Sequence, residues 1–202
     1  TYRFMSTAEL HVSATAGLTM RGGGPIFQTI LKAGSGSSGT ILLKITAPLS
    51  GLDKIVTFDI GGFSVVEEAG TSMICGLQVG DTVTGSYGDK TYALKGVTYS
   101  KISNVQSNGF TNGFKNVNSS FIEYDNCTAW NQSNEAFIGF WDYADRAGAV
   151  GFINYNNCYV AGSFGDITRI GHLTDSTSGG YATRIIGTVV MEDSGYQRFM
   201  KY

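Results

Sequence analysis

The chain has 202 residues, enough for one domain of ordinary size, and its formal net charge at neutral pH is −2. Its 14 lysines and arginines form no basic cluster, so we predict no nucleic-acid partner. No apolar run approaches the roughly 20 residues of a membrane-spanning helix, so we predict no membrane insertion.

The composition favours β-strands joined by tight turns. The chain holds 28 glycines, two prolines, 11 tyrosines and 12 phenylalanines, and only 15% of its residues are charged. Aromatic side chains suit a pleated surface, and glycine supplies the positive φ angles that turns require. No segment shows a sustained helical period with caps, so the sequence predicts an all-β fold.

The first 25 residues predict a separate, shaft-like extension. Residues 2–20 alternate thinly, with Phe4, Leu10, Val12 and Leu18 spaced among small polar residues. Such a pattern buries little on its own, so we expect several identical chains to wind together and share one narrow interior. The stretch "RGGGP" (21–25) interrupts the alternation. The sequence therefore predicts a thin intertwined β shaft at 1–25 and a β-rich tip domain at 26–202.

The clearest strands follow this junction. Segments 40–47 and 52–66 are rich in β-branched residues, and in the second Val56, Phe58 and Ile60 alternate with polar or small residues. A period of two places one set of side chains on one face of a strand. Further strands are predicted at 72–79, 91–105 and 183–191.

A short phrase occurs twice in the second half of the chain. "IEYDNC" (122–127) returns thirty-one residues later as "INYNNC" (153–158). One interpretation is a right-handed β-solenoid in the C-terminal half, in which equivalent positions recur on stacked turns. The other is an antiparallel β-sandwich with the two phrases on sister strands, and we prefer it because only two copies occur and 26–99 shows no such repeat. Chance recurrence in an Asn- and Tyr-rich segment is a third interpretation.

Three cysteines, Cys75, Cys127 and Cys158, are an odd number for a disulfide framework. We expect buried free thiols in a protein assembled in a reducing compartment. A bond between Cys127 and Cys158 is the alternative. No metal-ligand spacing is present, and we predict no metal and no cofactor.

The order of these segments resembles the distal end of a bacteriophage tail fibre. The resemblance lies in the alternating, glycine-punctuated "YRFMSTAELHVSATAGLTMRGGGP", the following "GTILLKITAPLSGLDKIVTFDIGGF" and the late "AVGFINYNNCYVAGSFGDITRIG". It implies a homotrimer in the virion, assembled in the host cytoplasm, whose tip attaches to a host cell by binding a surface glycan or an outer-membrane protein.

We predict the receptor site in the segment 130–145, where two tryptophans have polar neighbours and could present a ring to a sugar. The candidate residues are Trp130, Asn131, Trp141, Asp142 and Tyr143. The alternative for either tryptophan is ordinary core packing.

We predict no enzymatic activity. Glu135, Asp142 and Asp145 lie close in sequence and could serve a polysaccharide-degrading tailspike, because glycosidases use two carboxyl groups. We expect instead that they are solvated loop acids. A purely structural fibre segment is the remaining alternative.

Overall fold

The computed structural model describes fourteen stretches of the chain, and all structural statements below concern these stretches. They are residues 2–4, 10–13, 17–23, 28–34, 41–46, 57–68, 74–82, 97–131, 137–144, 152–162, 169–176, 183–186, 190–192 and 198–201.

The described residues form eighteen strands and no helix, which confirms the predicted all-β class. The strands are β1 (Tyr2–Phe4), β2 (Leu10–Ser13), β3 (Leu18–Arg21), β4 (Ile30–Ala33), β5 (Ile41–Thr46), β6 (Phe58–Glu67), β7 (Cys75–Val79), β8 (Thr98–Asn108), β9 (Asn112–Val117), β10 (Ser120–Asp125), β11 (Thr128–Asn131), β12 (Phe137–Ala144), β13 (Ile153–Asn156), β14 (Tyr159–Gly162), β15 (Arg169–Ser176), β16 (Thr183–Ile186), β17 (Val190–Glu192) and β18 (Arg198–Lys201). A candidate membrane-spanning helix is not found among the described residues.

The strands belong to two sheets in which every pairing is parallel. The first sheet has eleven strands and contains the path β1-β4-β6-β8-β10-β13-β16, with β3, β11, β14 and β17 attached to it. The second sheet has seven strands in the order β18-β15-β12-β9-β7-β5-β2. The chain passes from one sheet to the other and back, and each return adds a strand beside the previous one. We call one such passage through both sheets a coil, and the stacked coils form a parallel β-solenoid.

The preferred antiparallel interpretation of the repeated phrase is therefore wrong. Tyr124 of the first phrase pairs with Tyr155 of the second in parallel β10 and β13. The chain reaches β13 only after crossing the second sheet as β12, so the phrases occupy equivalent positions on successive coils. Parallel neighbours need such a crossover, whereas a tight hairpin joins antiparallel ones.

The coils also include β4, β5, β6, β7 and β8, although the sequence shows no repeat over 26–99. Asp59 of β6 pairs with Lys101 of β8, but Thr98 of β8 pairs with Ser120 of β10, about half as far along the chain. Because the connections between paired strands differ in length, the structural repeat does not appear as a fixed period in the sequence.

The strands of the predicted shaft pair within the same chain. Tyr2 of β1 pairs with Leu31 of β4, Leu10 of β2 with Leu43 of β5, and Leu18 of β3 with Phe58 of β6. Both β3 and β4 pair with β6. The predicted domain boundary at residue 25 therefore lies between two strands that pair with the same third strand.

Rows of like side chains fill the space between the sheets. In the first sheet one such row consists of Ile60, Ile102, Tyr124 and Tyr155, all buried. The facing row of the second sheet consists of Leu43, Leu77, Phe114 and Phe140. The Phe114 and Phe140 rings stack 4.9 Å apart, and Tyr155 meets Phe140 edge-on at 5.0 Å. The stacked pair joins neighbouring strands of the second sheet and the edge-on pair joins the two sheets, and both are favoured aromatic geometries.

A row of left-handed residues bends the first sheet at the same place in each coil. Gly62, Asn104, Asn126 and Asn157 have φ between 49° and 73°, a conformation that glycine and asparagine tolerate best. The Asn126 side-chain amide donates to the Asn104 side-chain oxygen at 2.6 Å. The Asn-Cys ending of the repeated phrase is therefore this corner followed by a buried cysteine that directly precedes the next strand.

Candidate functional site

Three aromatic side chains line one outer corner of the first sheet. Tyr99, Phe121 and Phe152 lie on successive coils and are 56%, 42% and 57% exposed. The Tyr99 and Phe121 rings stack with centroids 4.8 Å apart, and Phe121 and Phe152 stack at 4.7 Å. We call these three residues the aromatic row. A contiguous exposed apolar surface of this kind commonly marks a site of interaction.

The backbone of the aromatic row adopts an unusual conformation. The φ angles of Tyr99, Phe121 and Phe152 are 53°, 57° and 56°, in the left-handed region. Bulky residues are rare there, because the side chain approaches the following carbonyl oxygen at a cost of about 1–2 kcal/mol per residue. Asparagine or glycine would fit this corner with less strain. Repetition of the strain on three coils suggests that the rings serve a function beyond folding.

A groove of about 590 Å³ lies beside the aromatic row. Its lining includes Gly17, Thr57, Asp59, Tyr99, Lys101 and Glu123. The outward-facing residues of β3, β6, β8 and β10 thus supply small and charged groups next to the exposed ring of Tyr99. An apolar wall with a few convergent polar groups is typical of ligand sites.

The charged groups of this groove are held by ion pairs. The Arg21 guanidinium lies 2.5 Å from Asp59 and also donates to the Ser103 hydroxyl at 2.8 Å. The Lys101 ammonium lies 2.8 Å from Glu123 and 3.4 Å from Asp125. The hydrogen bond to Glu123, together with the negative charges of both carboxylates, raises the pKa of Lys101 above its ordinary value. Lys101 therefore stays protonated and presents a donor at the groove.

The predicted residues Trp141 and Tyr143 lie together on the outer face of the second sheet. Their rings meet at 5.8 Å and 63°, and the Lys115 ammonium lies 3.8 Å from the Trp141 centroid and 5.2 Å from that of Tyr143. Such a cation–π contact occupies one face of the indole. Both rings are half-buried, and a shallower depression of about 290 Å³ beside them is lined by Ile74, Gln78, Lys115 and Trp141 among others.

Asp142, between these two residues, faces the interior, in contrast to the predicted surface position. It is fully buried and accepts hydrogen bonds from the Asn116 amide at 2.5 Å and the Tyr155 hydroxyl at 2.8 Å. The Tyr124 hydroxyl donates to the Asn116 oxygen at 2.6 Å. Burial, reinforced by the charge of Asp142, raises the pKa of Tyr124 and of Tyr155 well above the usual value. This buried cluster is structural, and the expectation that Asp142 is a solvated loop acid is wrong.

Trp130 and Asn131 lie elsewhere, on β11 of the first sheet. The Asn131 side chain is buried and donates to the Phe110 carbonyl at 2.9 Å, so it is also enclosed rather than presented to a receptor. Trp130 is half-buried, and its outward position alternates with that of buried Ala129. The five predicted residues therefore do not form one site, because they divide between the two sheets and the interior. Receptor contact by Trp130, Trp141 or Tyr143 stays a prediction.

Glu135 and Asp145, the other acids considered for catalysis, lie outside the described residues. The three cysteines are free and buried, as expected from the sequence. Burial raises the pKa of the Cys127 thiol well above its ordinary value.

The sequence prediction missed the aromatic row, although the repeated phrase contains its signal. Extended by one residue, the phrase reads "FIEYDNC" (121–127) and "FINYNNC" (152–158), and each copy begins with a row member. In β8, Tyr99 lies three residues before Ile102, as Phe121 does before Tyr124. A search for the period of the outward residues, not only the buried ones, would have found the row.

Comparison of the chain with known protein families, curated proteins and solved structures gave no match. The function is therefore inferred from the geometry of the chain itself.

Proposed function

We propose that this chain attaches a virus particle to a cell by binding a surface glycan, as the tip of a bacteriophage tail fibre does. The observation that carries the proposal is the exposed aromatic row beside a groove with charged, hydrogen-bonding walls. Sugars have apolar C–H faces that pack on aromatic rings and hydroxyl groups that both donate and accept. A site for them needs both kinds of surface, side by side.

The rigidity of the solenoid supports this role. Tyr99, Lys101 and Glu123 lie on strands that have paired neighbours on both sides, β8 between β6 and β10, and β10 between β8 and β13. Ion pairs fix the charged side chains further. Groups held in place before binding lose little conformational entropy when the ligand arrives.

Homotrimeric assembly in the virion is the second part of the proposal and depends on the resemblance to tail fibres. The buried free cysteines support assembly in a reducing host cytoplasm. We expect sedimentation equilibrium to give a mass three times that of the 21.6 kDa chain. A monomer at all concentrations tested would contradict the trimer but not glycan binding.

A binding experiment on bacterial cells tests the attachment role. Fluorescently labelled protein is added to a panel of bacterial strains, before and after periodate oxidation of their surface glycans. We expect saturable, periodate-sensitive binding to at least one strain. The variant Phe121→Asn should reduce this binding at least about tenfold, because the ring is lost while asparagine keeps the left-handed backbone. Trp130→Ala and Trp141→Ala test the sites predicted from the sequence.

The outcomes separate the candidates. Binding insensitive to periodate would favour a protein receptor, and binding reduced only by Trp130→Ala or Trp141→Ala would move the site away from the aromatic row. No binding to any strain would favour a purely structural fibre segment.

Polysaccharide cleavage is the second candidate, and one observation favours it. Three carboxylates, Asp59, Glu123 and Asp125, lie on the same outer face as the aromatic row, and glycosidases act through a pair of carboxyl groups. We propose binding without cleavage, because each of these carboxylates already contacts a cation of the chain. Release of reducing ends from the bound glycan, abolished by Glu123→Gln or Asp59→Asn, would contradict the proposal and show that the chain cleaves the glycan.

A further inference from the structure

The aromatic row stops at Tyr99, although the solenoid continues. Leu18 pairs with Phe58, and Asp59 pairs with Lys101. The residues that occupy the position of Tyr99 on the two preceding coils are therefore Thr57 and Gly17. Two hydrogen bonds agree with this placement, because the Leu18 amide donates to the Thr57 carbonyl at 3.0 Å and the Phe58 amide donates to the Ser100 hydroxyl at 3.0 Å.

The equivalent positions on five successive passages of the chain are therefore occupied by Gly17, Thr57, Tyr99, Phe121 and Phe152. The last three positions carry rings and the first two do not. A side-chain carbon added to Gly17 would meet no atom within 4 Å. Among the described residues, Phe121 is the only ring that stacks on Tyr99, so the other face of the Tyr99 ring opens towards the groove.

Open space beside an exposed ring face can accept another ring. Successive positions of the row are separated by the strand spacing of about 4.8 Å, which matches the ring separations of 4.8 and 4.7 Å within the row. A six-membered ring placed on the free face of Tyr99 therefore lies over Thr57 at the same spacing. Such a ring continues the stack without any displacement of the protein.

The surrounding charges determine which kind of ring fits. The charged residues that line the groove are one cation, Lys101, and two carboxylates, Asp59 and Glu123, and each of them forms an ion pair. The balance is slightly negative and every charge has a partner, which disfavours a uronate or a sulfated sugar. Hydroxyl groups suit this rim, because they donate to the carboxylates and accept from the Lys101 ammonium.

We infer that the free face of Tyr99, with Thr57 and Gly17 beneath the open space, is the stacking subsite for one neutral pyranose unit of the bound glycan. This inference rests on the proposed glycan-binding function and assigns its position and its sugar class. Thr57 and Gly17 are then specificity-determining because they are small.

Two variants with opposite chemistry test the subsite. Tyr99→Asn removes the stacking ring and keeps the left-handed backbone, while Thr57→Phe keeps Tyr99 and fills the open position with a ring. Ile74→Asn is the control, since it removes an exposed apolar side chain that lies outside the aromatic row and does not line the groove. Circular dichroism melting curves establish that each variant is folded.

The probes are neutral hexaoses of glucose, mannose and N-acetylglucosamine, and the acidic hexaose of galacturonate, immobilised on an array together with glycans purified from a strain that the protein binds. We expect binding to neutral members, reduced about tenfold or more by Tyr99→Asn and by Thr57→Phe, and changed less than about threefold by Ile74→Asn.

Each failure has a separate meaning. Glycan binding that survives both Tyr99→Asn and Thr57→Phe would overturn the subsite and leave the proposed function intact. Preference for galacturonate would overturn the neutral-sugar assignment. Absence of binding to every glycan on the array, including those from the bound strain, would overturn the subsite and glycan recognition together.

Discussion

Removing the hydroxyl group of Tyr155 should destabilise the solenoid more than the same change at Tyr124. The effects at these two positions can be compared directly, because both rings are buried and they stack on successive coils with centroids 5.1 Å apart. Tyr155 donates to the Asp142 carboxylate at 2.8 Å, whereas Tyr124 donates to the neutral amide oxygen of Asn116 at 2.6 Å. Replacement by phenylalanine keeps the ring and its packing and removes only the hydroxyl.

The expected losses of unfolding free energy differ because the two tyrosine hydroxyl groups donate to different acceptors. A hydrogen bond to a charged group contributes about 1.5–3 kcal/mol, and one between neutral groups about 0.5–1.5 kcal/mol. Tyr155→Phe also removes an acceptor of the Asn116 amide, which lies 3.1 Å from the Tyr155 hydroxyl. We therefore expect the free energy of unfolding to fall by about 2–3 kcal/mol for Tyr155→Phe and by about 1 kcal/mol for Tyr124→Phe.

Urea denaturation followed by tryptophan fluorescence measures both values. The double variant Tyr155→Phe with Asp142→Asn completes a mutant cycle, and its coupling energy should be about 1–2 kcal/mol. Equal losses for the two tyrosine variants, or a coupling energy near zero, would refute the claim that Asp142 is held as a buried acceptor by Tyr155.

Three further predictions concern pH and the corners of the coil. The raised pKa values of Tyr124 and Tyr155 mean that the folded state keeps these protons when the unfolded chain loses them, so the stability that these two residues contribute should fall above about pH 10 by up to about 1.4 kcal/mol per pH unit for each tyrosine. Urea midpoints between about pH 8 and about pH 11.5 measure this fall, and replacement of both tyrosines by phenylalanine should make it less steep above about pH 10; an unchanged slope would contradict the assignment. Gly22→Ala should cost about 1–3 kcal/mol, because its added carbon would lie 1.8 Å from a carbonyl oxygen of the next coil, while Gly23→Ala, with nothing within 4 Å, is the control in a thermal melt. Asn126→Ala should lower the melting temperature more than Asn126→Gly, since both lose the side-chain hydrogen bond but only alanine also strains the left-handed corner; the reverse order would disprove this.

The sequence predicted correctly that two of the candidate residues lie together, but it did not predict which face of the sheet each residue occupies. It predicted that Trp141 and Tyr143 act together, and they do pack against each other, but on the second sheet with Lys115 over the indole. It placed Asp142 with them at the surface, whereas alternation along β12 turns that residue inwards. A residue between two outward neighbours in a strand must face the other way, so this error could have been avoided once 137–144 was taken as a strand.

Some properties follow from the sequence alone because they depend on local chemistry. Abundant aromatic and β-branched residues with few helix signals determined the all-β class. The Asn-Cys pairs determined left-handed corners followed by buried thiols, since asparagine tolerates positive φ and cysteine is small and apolar.

The direction of strand pairing and the assembly of the aromatic row do not follow from the sequence pattern and are seen only in the folded chain. A period of two is the same in parallel and antiparallel sheets, so alternation cannot distinguish a sandwich from a solenoid. The connections between coils differ in length, which moves Tyr99, Phe121 and Phe152 to irregular positions in the sequence. Parallel pairing brings them into one row and leaves the face of Tyr99 open, because hydrogen-bond register, not sequence spacing, determines which side chains are neighbours.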